Sequence, residues 1–167
     1  MAIPERIERP ALGDYLAVMS RAVFQAGLSW KMIESKWAAY LRLFEDFDVT
    51  RVAAFDEADA ERIVVDRAIV RTRKKVDATI ANARTLLMLD REYGGFDRYM
   101  ASFADYDALA ADLHTRFAFL GPVSVYYFVF LTGGRVPRFE DWEQTVRGNH
   151  PRMREMIAHA RAQGWDG

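Results

Sequence analysis

The chain has 167 residues, no cysteine, and a formal net charge of −1 from 23 basic and 24 acidic residues. Balanced charge gives the whole molecule no general attraction for nucleic acid, so DNA binding would need a local basic patch. The absence of cysteine excludes disulfides, iron–sulfur ligation and thiolate zinc sites. We therefore expect no metal and no cofactor.

Hydrophobic residues make up 51% of the chain. At 167 residues the chain is long enough for one well-buried core and rather short for two. We expect an N-terminal arm over residues 1–10 and a single domain over residues 11–167. The longest apolar stretch, Val123–Leu131, is too short to span a bilayer, and no secretory signal pattern is found. We expect a cytoplasmic monomer without a membrane partner.

Apolar residues recur at helical spacing along most of the chain, and no segment shows the sustained alternation of a strand. Asp48 is expected to precede a short turn through Ala53, and Asp56 to cap a helix. The first expected helix begins at Leu12 and ends near Gly27, and a later one contains Ile63 and Val64. A long helix is expected from Arg73 to Gly94. The other expected helices cover Trp30–Phe44, Phe96–Ser102, Asp105–Arg116, Pro122–Leu131, Phe139–Arg147 and Pro151–Gln163. This pattern predicts an all-α protein, an orthogonal bundle of short helices around aromatic side chains.

An apolar segment, a Gly-Pro turn and an apolar helix follow one another over residues 117–128. Proline at the first helical position leaves the helix N-terminal amides pointing outward, which suits a phosphate oxygen. The segment is typical of the hairpin of a helix-hairpin-helix DNA-binding element, although many buried helices also begin with Gly-Pro. The expected donors are the amides around Gly121, Val123 and Ser124, with the Ser124 hydroxyl as an extra donor.

Two further segments, Phe24–Trp30 and Ile69–Ala83, together with the hairpin, resemble the 3-methyladenine DNA glycosylase I family. The resemblance runs in order from about Met19 to Gly134, and Gln-Ala-Gly-Leu-Ser-Trp is its most specific part. It implies a helix-hairpin-helix fold and the excision of alkylated purines from DNA. Such an enzyme rotates the nucleotide out of the stack and holds the base between aromatic faces.

The resemblance implies a base pocket beside Trp30, with Gln25 and the residues after it shaping the preceding turn. Tryptophan on an amphipathic helix is otherwise usually core packing. Ala22 stands where the family carries the glutamate that recognises the cationic purine. Tyr15 is our candidate for the pocket aromatics that have no clear counterpart here.

The chain also departs in three ways from the pattern of the family or of the wider helix-hairpin-helix superfamily. The family joins its termini with a zinc clip of cysteine and histidine ligands, and this chain has no cysteine. The wider helix-hairpin-helix superfamily places a second glycine two residues before Gly121, where Phe119 stands; the glycosylase I family tolerates an aromatic there, so this departure is mild. Val123 occupies the site at which bifunctional members carry a catalytic lysine, so a Schiff-base lyase mechanism is disfavoured.

The dense basic cluster is the expected electrostatic contact with DNA, unless it is only a solvated helix start balanced by Asp66 and Asp77. Its members are Arg71, Arg73, Lys74 and Lys75. Glu140 and Asp141 lie roughly where other superfamily members carry a catalytic aspartate, and they are the candidate catalytic acids. Acidic residues are also simply favourable at a helix N-terminus.

The sequence thus favours a monofunctional N-glycosylase that hydrolyses alkylated purines of the 3-methyladenine type from DNA, with damaged, double-stranded DNA as its partner. Loss of the pocket glutamate would reduce selectivity more than rate, because a methylated purine is already cationic and a good leaving group. The alternatives are an inactive DNA-binding protein that kept the fold, and a scaffold that binds another small ligand in the old pocket.

Overall fold

A computed structural model describes residues 3–167, and within that range the chain forms helices and no strand. The expectation of an all-α fold is confirmed. The helices are α1 (Leu12–Gln25), α2 (Trp30–Leu43), α3 (Val49–Ala53), α4 (Glu57–Val64), α5 (Arg73–Tyr93), α6 (Phe96–Ala101), α7 (Tyr106–Arg116), α8 (Pro122–Leu131), α9 (Phe139–Trp142) and α10 (Pro151–Ala162). Short 3₁₀ turns cover Glu45–Phe47 and Glu143–Thr145.

Local signals account for most helix ends. The Asp56 carboxylate accepts the amide of Asp59 at 3.0 Å and caps α4, as its sequence predicts. Gly94 takes a left-handed conformation with φ of 70° and ends α5. Likewise, α1 ends at Gln25, near Gly27 as predicted, and Gly27 takes a left-handed conformation with φ of 80°.

Two elements differ from their predicted form. The expected turn after Asp48 is the short helix α3, because the Asp48 side chain caps it by accepting the amide of Arg51 at 3.1 Å. The expected helix over residues 139–147 ends as an α-helix at Trp142 and continues only as a 3₁₀ turn. Thr145 donates its hydroxyl to the Trp142 carbonyl at 2.7 Å, which closes that tighter turn.

Two helices organise the core. The long helix α5 packs against α1, α3, α4 and α6, and α8 packs against α1 and α7. Every residue from Val125 to Leu131 is buried, because a helix that is apolar on all sides has to be enclosed. The buried α8 therefore fixes the position of the turn that precedes it. None of the helices in the described range has the length and apolar character needed to cross a bilayer.

The two ends of the described chain meet at Arg6. Its guanidinium lies 5.2 Å from the ring of Phe130 and 4.9 Å from that of Trp165. It also donates to the carbonyl oxygens of Phe130 at 2.9 Å and Gly134 at 3.1 Å. Burial lowers the pKa of Arg6. A cation between two aromatic rings thus connects the N-terminal arm, the end of α8 and the C-terminal segment.

Candidate functional site

The turn between α7 and α8 is held from two sides. On α5, the Asn82 amide donates to the carbonyl of Ala118 at 3.2 Å and accepts the amide of Ala118 at 2.8 Å. On α7, His114 donates through Nδ1 to the carbonyl of Leu120 at 2.7 Å. Because Asn82 is itself buried, the turn is fixed to the core rather than left as a loose loop.

The start of α8 has the geometry expected of an anion-binding helix end. Gly121 is extended, with φ of −78° and ψ of 178°, and Pro122 occupies the first helical position. No side chain caps this end, and a Cβ placed on Gly121 would meet nothing within 4 Å. The amides of Val123 and Ser124 lie in the first turn, where a helix leaves amides without intrahelical partners. This surface can receive a phosphate oxygen.

The turn before α2 positions Trp30. Gln25 donates its side-chain amide to the carbonyl of Leu28 at 2.9 Å, and Gly27 takes a positive φ of 80°. Ser29 then caps α2 by accepting the amide of Met32 at 3.1 Å. The segment therefore folds as a closed turn that fixes the first side chain of α2.

Trp30 is half-buried, and one wall of its site is the ring of Tyr127, whose centroid lies 4.7 Å away. Burial raises the pKa of the Tyr127 phenol to about 12, so that group is neutral at physiological pH. One turn after Trp30, Glu34 accepts a hydrogen bond from Arg152 at 2.5 Å. Tyr127 also interacts with Arg21 of α1 and with Arg152 of α10, so α1, α2, α8 and α10 border the Trp30 site.

The other predicted pocket residues divide into two places. Ala22 is buried on α1, three residues before Gln25. Tyr15 contacts Phe96 at 4.7 Å and Phe128 at 6.1 Å between ring centroids, and it lines a separate cavity of about 780 Å³. Consecutive residues of a helix point about 100° apart, so Tyr15 and Trp30 meet different faces of α8. That Tyr15 contributes to a base pocket with Trp30 stays a prediction.

The basic cluster is smaller than the sequence suggests. Arg73 binds Glu57 at 2.6 Å and Asp77 at 2.9 Å, and these carboxylates raise its pKa. Arg71 and Lys74 are exposed. They remain the candidate contacts with DNA phosphates.

Lys75 requires a correction, because it is buried rather than part of a surface cluster. Its ammonium donates to the carbonyl of Phe24 at 3.1 Å and to that of Ala26 at 2.6 Å. Burial lowers its pKa. Lys75 therefore ties α5 to the end of α1 and supports the turn that leads into Trp30.

The candidate acids lie on α9. Glu140 accepts hydrogen bonds from Arg161 at 2.5 and 2.9 Å, and this guanidinium lowers the Glu140 pKa to about 2. An ionised carboxylate in that state cannot donate a proton near neutral pH. Its charge acts on Tyr126, the neighbour of Tyr127 on α8. Asp141 is exposed on the same short helix. Glu140 is therefore held as an anion, and its part in catalysis stays a prediction.

Possible metal ligands show no grouping. Within residues 3–167 no cluster of three or more histidine, aspartate or glutamate side chains is placed to hold a metal ion. The absence of a cofactor stays a prediction.

Solved structures with similar folds define the class first. The fold matches 3-methyladenine DNA glycosylase I with a TM-score of 0.67, 29% identity, and coverage of 78% of this chain and 82% of the other. It also matches a variant of 3-methyladenine DNA glycosylase I from Staphylococcus aureus with a TM-score of 0.67, 26% identity, and coverage of 78% and 80%.

Sequence relatives then define the family. The chain is 34% identical over 130 residues to DNA-3-methyladenine glycosylase 1 of Escherichia coli (strain K12). This alignment covers 65% of this chain and 70% of the relative. The family model of the methyladenine glycosylases matches residues 14–116. The chain belongs to the methyladenine glycosylase family, and the resemblance drawn from its sequence is confirmed.

Sequence reasoning missed three contributors to these sites: Asn82, Tyr127 and the pair of Glu34 with Arg152. Asn82 lay within the motif that carried the resemblance, but nothing local shows that it reaches Ala118, far along the chain. Tyr127 belongs to an apolar run in which the face of each residue is set by packing. Arg152 and Glu34 are separated by 118 positions, so no local pattern pairs them.

Proposed function

We propose that this protein hydrolyses the N-glycosidic bond of 3-methyladenine and related cationic purines in damaged, double-stranded DNA, and that it acts as a monomer. The observation that carries this proposal is the half-buried ring of Trp30, backed by Tyr127 at 4.7 Å and placed by a closed turn. A flat aromatic wall of this kind suits a base rotated out of the stack.

The chemistry suits a pocket that stacks and positions the base. In the reaction the bond from the sugar C1′ to the purine nitrogen breaks, and its electron pair neutralises the cationic base. Water adds to C1′ and loses a proton, which leaves an abasic site. Because the departing base is neutral after cleavage, no proton has to be delivered to it. The ionised state of Glu140 is therefore compatible with catalysis.

Selectivity should be weaker than in family members that carry a pocket glutamate. Ala22 offers no charge to a cationic purine, and its side chain is buried on α1. A carboxylate in a poorly solvated site would favour the cationic base over its neutral counterpart. We therefore expect this enzyme to discriminate less sharply between methylated and unmodified purines.

DNA would be held by two features that read no sequence. The amides of Val123 and Ser124 can bind a phosphate at the start of α8, and Arg71 and Lys74 can add positive charge. Binding should therefore be independent of sequence and weakened by salt.

The test measures release of methylated bases and abasic sites from methylated duplex DNA. Trp30→Ala should reduce excision by about 10- to 100-fold, the loss expected when one base-stacking ring is removed. The matched control is Trp165→Ala, since Trp165 is also half-buried but contacts Phe130 instead. Each variant is first checked for folding by circular dichroism.

Three outcomes separate the possibilities. Release by the parent and the Trp165 variant but not by the Trp30 variant supports the proposal. Binding of DNA without any release, even in Ala22→Glu, would show a DNA-binding protein that has lost catalysis. Equal release by the parent and the folded Trp30 variant would show that the base is held elsewhere.

A further inference from the structure

Phe119 has an unusual conformation at the tip of the turn between α7 and α8. Its φ is +61°, in the left-handed region that bulky residues rarely occupy. Its side chain is 45% exposed, whereas the neighbouring Leu120 is 2% exposed.

The fold holds the backbone on both sides of this residue. Asn82 binds both the amide and the carbonyl of Ala118, and His114 binds the carbonyl of Leu120. The Phe117 and Leu120 side chains are buried, which anchors the turn from below. Because the backbone on both sides is held and the Leu120 side chain is buried, the Phe119 side chain lies at the surface. Strain that the surroundings maintain at an exposed residue is typical of functional positions.

Phe119 lies beside the expected phosphate site. It is two residues before Gly121, and the amides of Val123 and Ser124 follow directly. A phosphate held by those amides would bring its attached deoxyribose close to the tip of the turn. The C–H face of a deoxyribose is the apolar surface that a DNA backbone offers to a phenyl ring.

We propose that the Phe119 ring packs on the deoxyribose next to the phosphate bound at the start of α8. This inference rests on the proposed function, because it names a contact of the same DNA interface. The contact adds affinity that does not depend on charge, in a chain whose formal net charge is −1. It needs no base edge, so it works at any sequence.

The test compares Phe119→Gly with the parent in binding undamaged duplex DNA over a series of salt concentrations. Glycine adopts the positive φ freely, so the turn keeps its shape while the ring is lost. We expect binding to weaken about tenfold, as for removal of one apolar anchor at an interface. The salt dependence should be unchanged, because an apolar contact releases no counterions.

Two further variants show whether the apolar character of this position, and the position itself, matter. Phe119→Leu keeps an apolar side chain and should restore most of the binding. Val65→Ala truncates another exposed apolar residue, 65% exposed at the end of α4, and should bind like the parent. The melting temperature of Phe119→Gly should equal or exceed that of the parent, because glycine relieves the backbone strain.

The outcomes separate this inference from the proposed function. A parent that binds DNA together with a folded Phe119→Gly that binds equally well would overturn the role of the ring alone. A weakened variant with a shallower salt dependence or a lower melting temperature would show that the turn itself was disturbed, which also overturns it. A parent that binds no DNA would overturn the proposed function and the inference together.

Discussion

Two turns of this protein hold a phenylalanine in a left-handed backbone conformation, and they differ in what surrounds the ring. In the turn Glu45–Phe47 three consecutive residues have φ between 51° and 55°. The Phe47 ring is fully buried and stacks 5.2 Å from Trp37 and 5.5 Å from Phe44. Phe119 has φ of 61°, but its ring is 45% exposed.

The difference shows how each conformation is maintained. A left-handed residue costs about 1–2 kcal/mol, and full burial of a phenylalanine side chain returns about 1.5–3 kcal/mol. Burial of the ring can therefore offset the strain at Phe47 itself, which is one of three left-handed residues in that turn. The Phe119 ring is less completely buried, and hydrogen bonds from Asn82 and His114 to the neighbouring backbone hold the turn. The first turn serves the core, and the second is formed at the expense of local stability.

The largest expected effect tests the first turn. Phe47→Ala should lower the free energy of unfolding by about 3–5 kcal/mol, because it empties a packed site beside Trp37 and Phe44. Urea unfolding followed by circular dichroism measures this. Phe119→Ala is the matched control and should change stability by less than about 1 kcal/mol, as exposed positions usually do. Equal losses in the two variants would contradict the contrast between the turns.

A second test breaks the support of the exposed turn. Asn82→Ala leaves the amide and carbonyl of Ala118 without their partner, which should cost about 1–3 kcal/mol. DNA binding of the folded variant should fall as well, because Phe119 and the start of α8 are no longer held in place. The measurements are urea unfolding and DNA affinity.

The control for this test lies one turn earlier on α5. Thr79→Ala removes a buried hydrogen bond to the carbonyl of Lys75 without changing a contact to the turn between α7 and α8. It should lower stability and leave DNA affinity unchanged. If Asn82→Ala binds DNA like the parent, the turn is held by other means.

The sequence predicted the parts of this fold that depend on local signals. Asp56 and Gly94 mark helix ends through side-chain capping and a positive φ, and both act within a few residues. The turn before Trp30 is local as well, since Gln25 and Ser29 bond to atoms three residues away, but its prediction came from the family resemblance. The spacing of apolar residues predicted where the helices lie along the chain, but not which helices pack against each other.

The remaining features depend on contacts between distant segments. Lys75 looks like a surface cation among other basic residues, and only the folded chain brings it to the carbonyls of Phe24 and Ala26. The left-handed turn at Phe47 contains no glycine, so its residue types do not predict a positive φ. Nor does the sequence show that Tyr15 meets Phe128 while Trp30 meets Tyr127, on two different faces of α8.

A third test separates charge from apolar contact at the DNA interface. Replacing both Arg71 and Lys74 by alanine should reduce the slope of log affinity against log salt by about 2, or about 0.9 per lost phosphate contact. Phe119→Gly should weaken binding at an unchanged slope. The control replaces two exposed arginines elsewhere, Arg91 and Arg98, and should keep the parent slope. An unchanged slope in the Arg71 and Lys74 variant would remove both residues from the interface.

The smallest expected effect is a change of stability at acid pH. The stacked Phe47 ring and the hydrogen bonds from Asn82 to Ala118 should be insensitive to acid because these groups are uncharged. Glu140 supplies the reference, since Arg161 lowers its pKa from 4.5 to about 2. A carboxylate with a depressed folded pKa stabilises the native state above its unfolded pKa, and this contribution is lost as the pH falls toward the folded value. Glu140→Gln should therefore be slightly less stable than the parent near neutral pH, and the difference should close between about pH 5 and pH 2.

Urea unfolding at several pH values measures this difference, with Asp141→Asn as the control for loss of an exposed charge on α9. Glu140→Gln should also excise methylated bases at the parent rate near neutral pH, since the carboxylate is already ionised and held by Arg161. Loss of excision in the folded variant would assign Glu140 a part in catalysis as an anion. A stability difference that persists to pH 2 would show that Glu140 and Arg161 do not stabilise the fold through the charge of the carboxylate. Packing, as at Phe47, would then hold α9 against α10.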